Sequence, residues 1–395
     1  MRIILIGLSR SFFMGLFILL AGAGLAVALL RPALPANSGN YKIREQFPPL
    51  AYLPGYEHGP KVRADAAILI ESKTGTILYA KNAEERRAPA STTKMMTAIV
   101  ALEKGNLDRA IKISRRAATV GGSSIPIRAG ERVLLGELLK GTMLESGNNG
   151  SVAVAEGVAG TVDHFVNLMN LKAKEIGALQ TNFRNPHGLR APSHYTTALD
   201  LALIARYGLA NPRFAELVCQ KTATMEKIDG REAQLSNTNR LLWSFQGADG
   251  VKTGTTNEAG YCLVASATRE GQQYIAVALH SPDRWGDCAQ MLDYAFKEFT
   301  TVQIADAQRR MTRVTVANGK PERVWLYPRA NLFAVVRKGE ESLVRPQMLL
   351  GRGPFRAPLQ PGQALGKIGY RYQAQTVTGV DLVVRQPVQK RWWFW

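Results

Sequence analysis

Three short runs narrow the reading of this chain more than any other feature. Ser91-Thr92-Thr93-Lys94 comes first, then Ser146-Gly147-Asn148, then Lys252-Thr253-Gly254. Each alone is commonplace. In this order, with 55 and then 106 residues between their first members, they describe a serine acyl-transfer site.

A serine hydroxyl needs a neighbouring base to become a strong nucleophile. Ser91 and Lys94 are three residues apart, and the apolar run Met95-Met96-Thr97-Ala98-Ile99-Val100-Ala101-Leu102 after them predicts a buried helix. That spacing puts both side chains on one helix face. Pro89 lies just upstream, as is common near helix starts, so Ser91 falls near the positive end of the helix dipole. A buried lysine loses its charge readily, which suits Lys94 to the role of neutral base.

Ser146 and Asn148 alternate in a short loop and are expected to enter the same cleft, although Gly147, Asn149 and Gly150 would suit a solvated turn equally well. A second hydroxyl can relay a proton between Lys94 and a leaving amine, and an asparagine amide can both donate to and accept from a peptide bond. Lys252-Thr253-Gly254-Thr255 reads as a strand that breaks at Thr256-Asn257-Glu258-Ala259, before the apolar strand Gly260-Tyr261-Cys262-Leu263-Val264-Ala265-Ser266-Ala267. Gly254 lets a substrate backbone lie close, and Lys252 with Thr253 offers a cation and a hydroxyl to a terminal carboxylate. The N–H groups of Thr255 and Ser91 are candidates for an oxyanion hole.

On these motifs the chain resembles the serine D-alanyl-D-alanine carboxypeptidases, the low-molecular-weight penicillin-binding proteins. The likeness extends to Ala88-Pro89-Ala90 before the nucleophile, to Asn185-Pro186-His187-Gly188-Leu189 with Thr196-Thr197-Ala198-Leu199-Asp200, and to Asn237-Thr238-Asn239-Arg240-Leu241-Leu242. It covers roughly residues 65–299 and, more weakly, the segment C-terminal to them. It implies Ser91 as acyl-ester nucleophile, Lys94 as base and Ser146 as proton relay. Asn148, Lys252, Thr253, Gly254 and Thr255 then contact substrate. It also implies peptidoglycan stem pentapeptides as substrates, β-lactams as covalent inhibitors, and no metal or cofactor. Two positions depart from the common pattern: Asn149 stands where many members have Asp, and Thr255 where many have His. Arg284 is a further candidate carboxylate contact, and equally a candidate surface residue.

The family's fold is a transpeptidase/β-lactamase-like α+β sheet enclosing a helical insert, with a small all-β domain after it, and the patterning agrees. Strands are expected at Ala66–Ile70 and Thr76–Tyr79 around a Lys73-Thr74-Gly75 turn, helices through about Asn211, strands again at 260–280, and a helix over Asp287–Thr300. After Thr300, short alternating runs separated by Gly or Pro turns recur at 312–316, 323–327, 331–336 and 378–384. The expected division is 1–36 signal or anchor, 37–63 Pro-rich leader, 64–300 catalytic domain, 301–389 β domain and 390–395 basic-aromatic tail.

Arg2 and Arg10 precede twenty uncharged residues, Ser11 to Leu30, and Ala36 is a candidate cleavage point. The run is also long enough to anchor in a bilayer. Either way the site is expected outside the cytoplasmic membrane, on its outer face, in the wall or in the periplasm. Of the net charge of +19, residues 301–395 carry 16 Lys/Arg against 5 Asp/Glu, a net +11. In an exported protein that excess favours anionic lipid or anionic wall polymer over nucleic acid. The final Lys390-Arg391-Trp392-Trp393-Phe394-Trp395 suits a membrane interface. Cys219, Cys262 and Cys288 form no C-x-x-C, which gives no sign of a zinc or redox site. Two rival functions are a β-lactamase of the same superfamily and a catalytically idle wall-binding or penicillin-sensing protein. The first needs a deacylating Glu-x-x-Leu-Asn run after Ser146, which this sequence lacks. The second would have no need of all four of Ser91, Lys94, Ser146 and Lys252.

Overall fold

The computed structural model describes residues 50–373 and 375–391. The signal or anchor segment, residues 37–49 of the leader and Trp392 to Trp395 lie outside the described residues. The first unit is built on β1 (Ala51–Tyr52), β2 (Ala66–Glu71) and β3 (Thr76–Lys81). Two small two-stranded sheets come next, β4 (Ala110–Lys112) with β5 (Arg132–Leu134) and β6 (Thr222–Glu226) with β7 (Glu232–Ser236), and then β8 (Ala248–Thr256), β9 (Gly260–Arg269) and β10 (Gln272–Leu279). The main sheet runs β1-β3-β2-β10-β9-β8, antiparallel except for the β1–β3 pair.

Alternation along β2 shows how the sheet is sandwiched. Ala66, Ile68 and Ile70 pack into the helical layer, while Ala67 and Leu69 face the opposite core, which holds Met291, Leu292 and Ala295. The second core runs on into the C-terminal domain through Phe299, Val316, Leu326 and Leu382. That domain comprises β11 (Phe299–Ala305), β12 (Thr312–Ala317), β13 (Gly319–Lys320), β14 (Arg323–Pro328) and β15 (Leu332–Arg337). It continues with β16 (Arg345–Leu350), β17 (Phe355–Arg356), β18 (Ala364–Tyr372), β19 (Gln375–Val384) and β20 (Gln389–Lys390). Its six-stranded sheet is ordered β16-β18-β19-β14-β12-β17.

Four expectations are corrected. The helical segments expected through about Asn211 are interrupted by the β4–β5 strand pair, and a further helix follows at Pro212–Cys219. The helix expected over Asp287–Thr300 spans Arg284–Glu298: Asp283 caps it by accepting from Gly286 N, and Phe299 opens β11 opposite Arg337. The described part of the expected leader is built into the domain. Ala51 and Tyr52 add an edge strand, Leu53 and Val62 are buried, and Asp287 accepts from the backbone N–H groups of Arg63 and Ala64. In the β domain, β16 and the nine-residue β18 fall where no strand was expected.

Candidate active site

Ser91 lies in a short 3-10 turn, Ala90–Thr93, that leads into the helix Lys94–Lys104. Two neighbours hold this turn. Gly188, at φ 90°, brings its loop so close that a Cβ there would collide with the Ala90 carbonyl. Gly254 on β8 presses from the other side, where a Cβ would sit 3.1 Å from Ser91 N and 3.0 Å from Ala90 Cβ. Thr93 Oγ1 meets His194 Nε2 at 3.0 Å, and Thr97 Oγ1 donates to Pro186 O at 2.6 Å. Burial, with Arg184 as a further cause, holds His194 down at about 4, so it is neutral at neutral pH.

Lys94 is fully buried. Its Nζ lies 2.8 Å from Ser91 Oγ, and it donates to Asn148 Oδ1 at 2.7 Å and to the His187 carbonyl at 2.7 Å. Burial, and then the nearby Lys252 charge, lowers its pKa well below the usual lysine value. His187 is itself pushed down to about 3 by burial and by Lys94. Its Nδ1 accepts from Leu189 N, and Asn185 ties the same loop by accepting from Gly188 N at 2.7 Å.

Asn148 begins the helix Asn148–Ala159 and is fixed at both ends, since its Nδ2 donates to Gly121 O. Asn149 clamps Ile125, accepting from its N–H at 2.9 Å and donating to its carbonyl at 2.8 Å. A carboxylate could not make the second bond, which accounts for an amide at this position. Ser146 adopts φ 63° in the loop between two helices and is buried. Two residues before it, Leu144 O accepts from Thr238 N; two residues after it, Asn148 meets Lys94. Its hydroxyl makes no hydrogen bond to Ser91 or Lys94 among the described residues.

β8 is the opposite wall. Lys252 is buried, and its Nζ has no hydrogen-bond partner among the described residues. Burial, with Arg284 as a second cause, lowers its pKa to about 7. Thr253 Oγ1 meets Thr238 Oγ1 at 2.6 Å. Thr255 is exposed, and its hydroxyl accepts from Arg284 Nη1 at 2.8 Å. The same guanidinium nitrogen donates to Gly254 O at 2.8 Å. Arg284 therefore belongs to the β8 wall, as does Thr238; across the cleft, the His187 carbonyl belongs to the helix wall with Lys94. Arg284 stood undecided in the sequence, and a backbone carbonyl leaves no trace in residue type. Only the family-like loop pointed to His187.

A sandwiched antiparallel sheet carries Lys-Thr-Gly on its edge strand, and a serine–lysine turn faces that edge. This is the architecture of a serine hydrolase of the transpeptidase-like fold. The family model for D-alanyl-D-alanine carboxypeptidase matches residues 55–283, and that for the penicillin-binding protein 5 C-terminal domain matches 299–390. The D-alanyl-D-alanine carboxypeptidase DacF of Bacillus subtilis is 35% identical over 335 residues, covering 83% of this chain and 86% of the relative. DacA of Escherichia coli is 33% identical over 346 residues, covering 83% and 84%. Penicillin binding protein 5 from Haemophilus influenzae superposes with a TM-score of 0.76 at 31% identity, over 84% of this chain and 99% of that one. The chain belongs to the D-alanyl-D-alanine carboxypeptidase family, whose members are active-site-serine peptidases that bind penicillin.

Proposed function

We propose that this enzyme removes the terminal D-Ala of peptidoglycan stem pentapeptides through an acyl-ester on Ser91. The partner set of Lys94 carries the assignment. A neutral amine has two N–H groups and one lone pair. Around Nζ stand two pure acceptors, Asn148 Oδ1 and His187 O, and one hydroxyl, Ser91. The two acceptors take the two hydrogens and leave the lone pair directed at Ser91. Burial beside a second lysine favours that neutral form.

Ser91 Oγ attacks the carbonyl of the penultimate D-Ala while Lys94 takes its proton. The N–H groups of Ser91 and Thr255 hold the oxyanion. The close approach of Gly254 to the Ser91 turn supports that pairing of strand and turn. The peptide bond then breaks, and the proton reaches the departing D-Ala amine by way of Ser146. Water hydrolyses the ester and restores both groups. Asn148 contacts the peptide, and Lys252, with Thr253, Gly254 and Thr255, receives the terminal carboxylate. Lys252 supports this role, because a buried cation without a partner is costly and a carboxylate supplies one.

A penicillin would acylate Ser91 by the same attack. No carboxylate hydrogen-bonds to Ser91 or Lys94 among the described residues, and Glu175 is engaged with Lys172. The penicilloyl ester is therefore expected to persist, which argues against the β-lactamase alternative.

The apolar segment Ser11 to Leu30 supports export, and the basic β domain with its aromatic tail supports contact with an anionic surface. Among the described residues no helix is long and apolar enough to cross a membrane. Incubating the enzyme with a muropeptide pentapeptide and weighing the product tests the reading. Tetrapeptide plus free D-Ala is expected; unchanged pentapeptide would refute it.

A further inference from the structure

The β domain presents an edge that is apolar and basic at once. β16 is the outer strand of its sheet. Edges of this kind are normally short, charged or covered. β16 instead exposes Met348 at 38%, Leu349 at 67% and Leu350 at 45%. One exposed leucine is ordinary; here Met348 and Leu350 expose one face of the edge strand and Leu349 the other, so the edge is apolar on both sides.

Cations share the face of Leu349. The β16–β18 register sets Arg345 opposite Arg371 and Leu349 opposite Lys367. Arg352 and Arg356, in the hook after the strand, are exposed as well. Residues 342–395 hold eight Lys/Arg and a single acid, Asp381. The hook carries the chain from β16 to β17 at the other end of the sheet, toward the place where the described chain stops. A Cβ on Gly351 would lie 3.4 Å from the Phe355 ring, and β17 pairs Phe355 with Val316 and Arg356 with Ala317. Next in line, Asn318 O accepts from Arg391 N at 2.7 Å. Trp392-Trp393-Phe394-Trp395 come directly after Arg391 in the sequence.

We propose that β16 and its hook form a membrane-docking edge that seats on an anionic lipid surface. Cations alone would fit a polyanionic wall polymer equally well. The exposed Met348, Leu349 and Leu350 decide for lipid, because a polymer of phosphates and sugars offers them no apolar phase. The hook ends opposite Ala317, next to the Asn318 that holds Arg391, and the sequence after Arg391 is an aromatic run suited to the headgroup zone. Weak anchors of these kinds hold when they act together. The inference deepens the proposed surface contact and rests on it, but the acyl-transfer chemistry does not enter.

The test uses the full chain with Cys219→Ser, which removes the exposed thiol; Cys262 and Cys288 are buried. A solvent-sensitive fluorophore is attached at Leu349→Cys or, as control, at Leu171→Cys on the helix Val162–Ile176, a site 56% exposed. Vesicles of phosphatidylglycerol with phosphatidylcholine are compared with phosphatidylcholine alone and with soluble polyphosphate. The expected result is a blue shift at position 349 on the anionic vesicles, weakened by salt, with position 171 unchanged. An unshifted 349 probe on sedimented, vesicle-bound protein would overturn the proposal. So would no binding, an equal shift with polyphosphate, or a shift without vesicles that accompanies dimer formation. Penicillin labelling of the same samples reports the acyl-transfer site separately.

Discussion

The two walls of the cleft each bury a lysine, and they treat it differently. On the helix wall, Lys94 has three partners within hydrogen-bond distance and sits among groups fixed by further bonds. On the strand wall, Lys252 has none among the described residues. The first wall is complete before substrate arrives, as a base must be if it is to act without rearrangement. In the proposed reading the second is satisfied when the substrate carboxylate binds. On this account chemistry is preorganised on one side, and recognition is left open on the other.

Lys94→Arg gives the largest expected effect. It fixes a positive charge at this position and removes the neutral lone pair, since arginine does not deprotonate in proteins. Acylation by penicillin should fall by a factor of at least about 10², the low end for loss of a general base. Near-normal acylation in stopped-flow measurements would mean that Lys94 serves only as a charge, and the contrast between the walls would collapse.

The pH profile addresses the other wall. Burial, and then Arg284, pushes the Lys252 pKa down to about 7, so its charged fraction falls as pH rises through that value. Only the charged form attracts a carboxylate. The account therefore predicts that kcat/KM for a free-carboxylate peptide declines above about pH 7. The decline should approach tenfold per pH unit, the limit for loss of one proton. The loss should appear mainly in KM, because a bound carboxylate raises the lysine pKa again. A profile flat from pH 7 to 9 would break the assignment.

Stability offers a smaller contrast with opposite signs. Lys94→Met strands two buried acceptors and should destabilise by about 1–3 kcal/mol. Lys252→Met removes an unpartnered buried cation and should leave stability unchanged or raise it by about 1 kcal/mol. Urea denaturation of both variants at pH 7 reads the difference, and equal destabilisation would contradict it.

The sequence made the nucleophile turn and the Lys-Thr-Gly strand legible because both are local. A three-residue spacing and an apolar run each report on their own neighbourhood. It could not show that Asn148 and the His187 carbonyl converge on Lys94, since that depends on the packing of a loop with a glycine at φ 90°. Ser146 reads as a relay in the sequence, and among the described residues its hydroxyl makes no hydrogen bond to Ser91 or Lys94. The strand β18 escaped notice because Gly366 and Gly369 interrupt its apolar alternation. The helix end at Glu298 was misjudged because Phe299 continues a helical pattern but is taken by β15.

The central claim is that Ser91 forms the acyl-ester. Reacting the enzyme with benzylpenicillin, digesting it and locating the adduct by mass spectrometry tests this most directly. The account predicts one penicilloyl group on the peptide containing Ser91, and no adduct in a folded Ser91→Ala variant. An adduct on any other residue, or undiminished labelling of that variant, would contradict it.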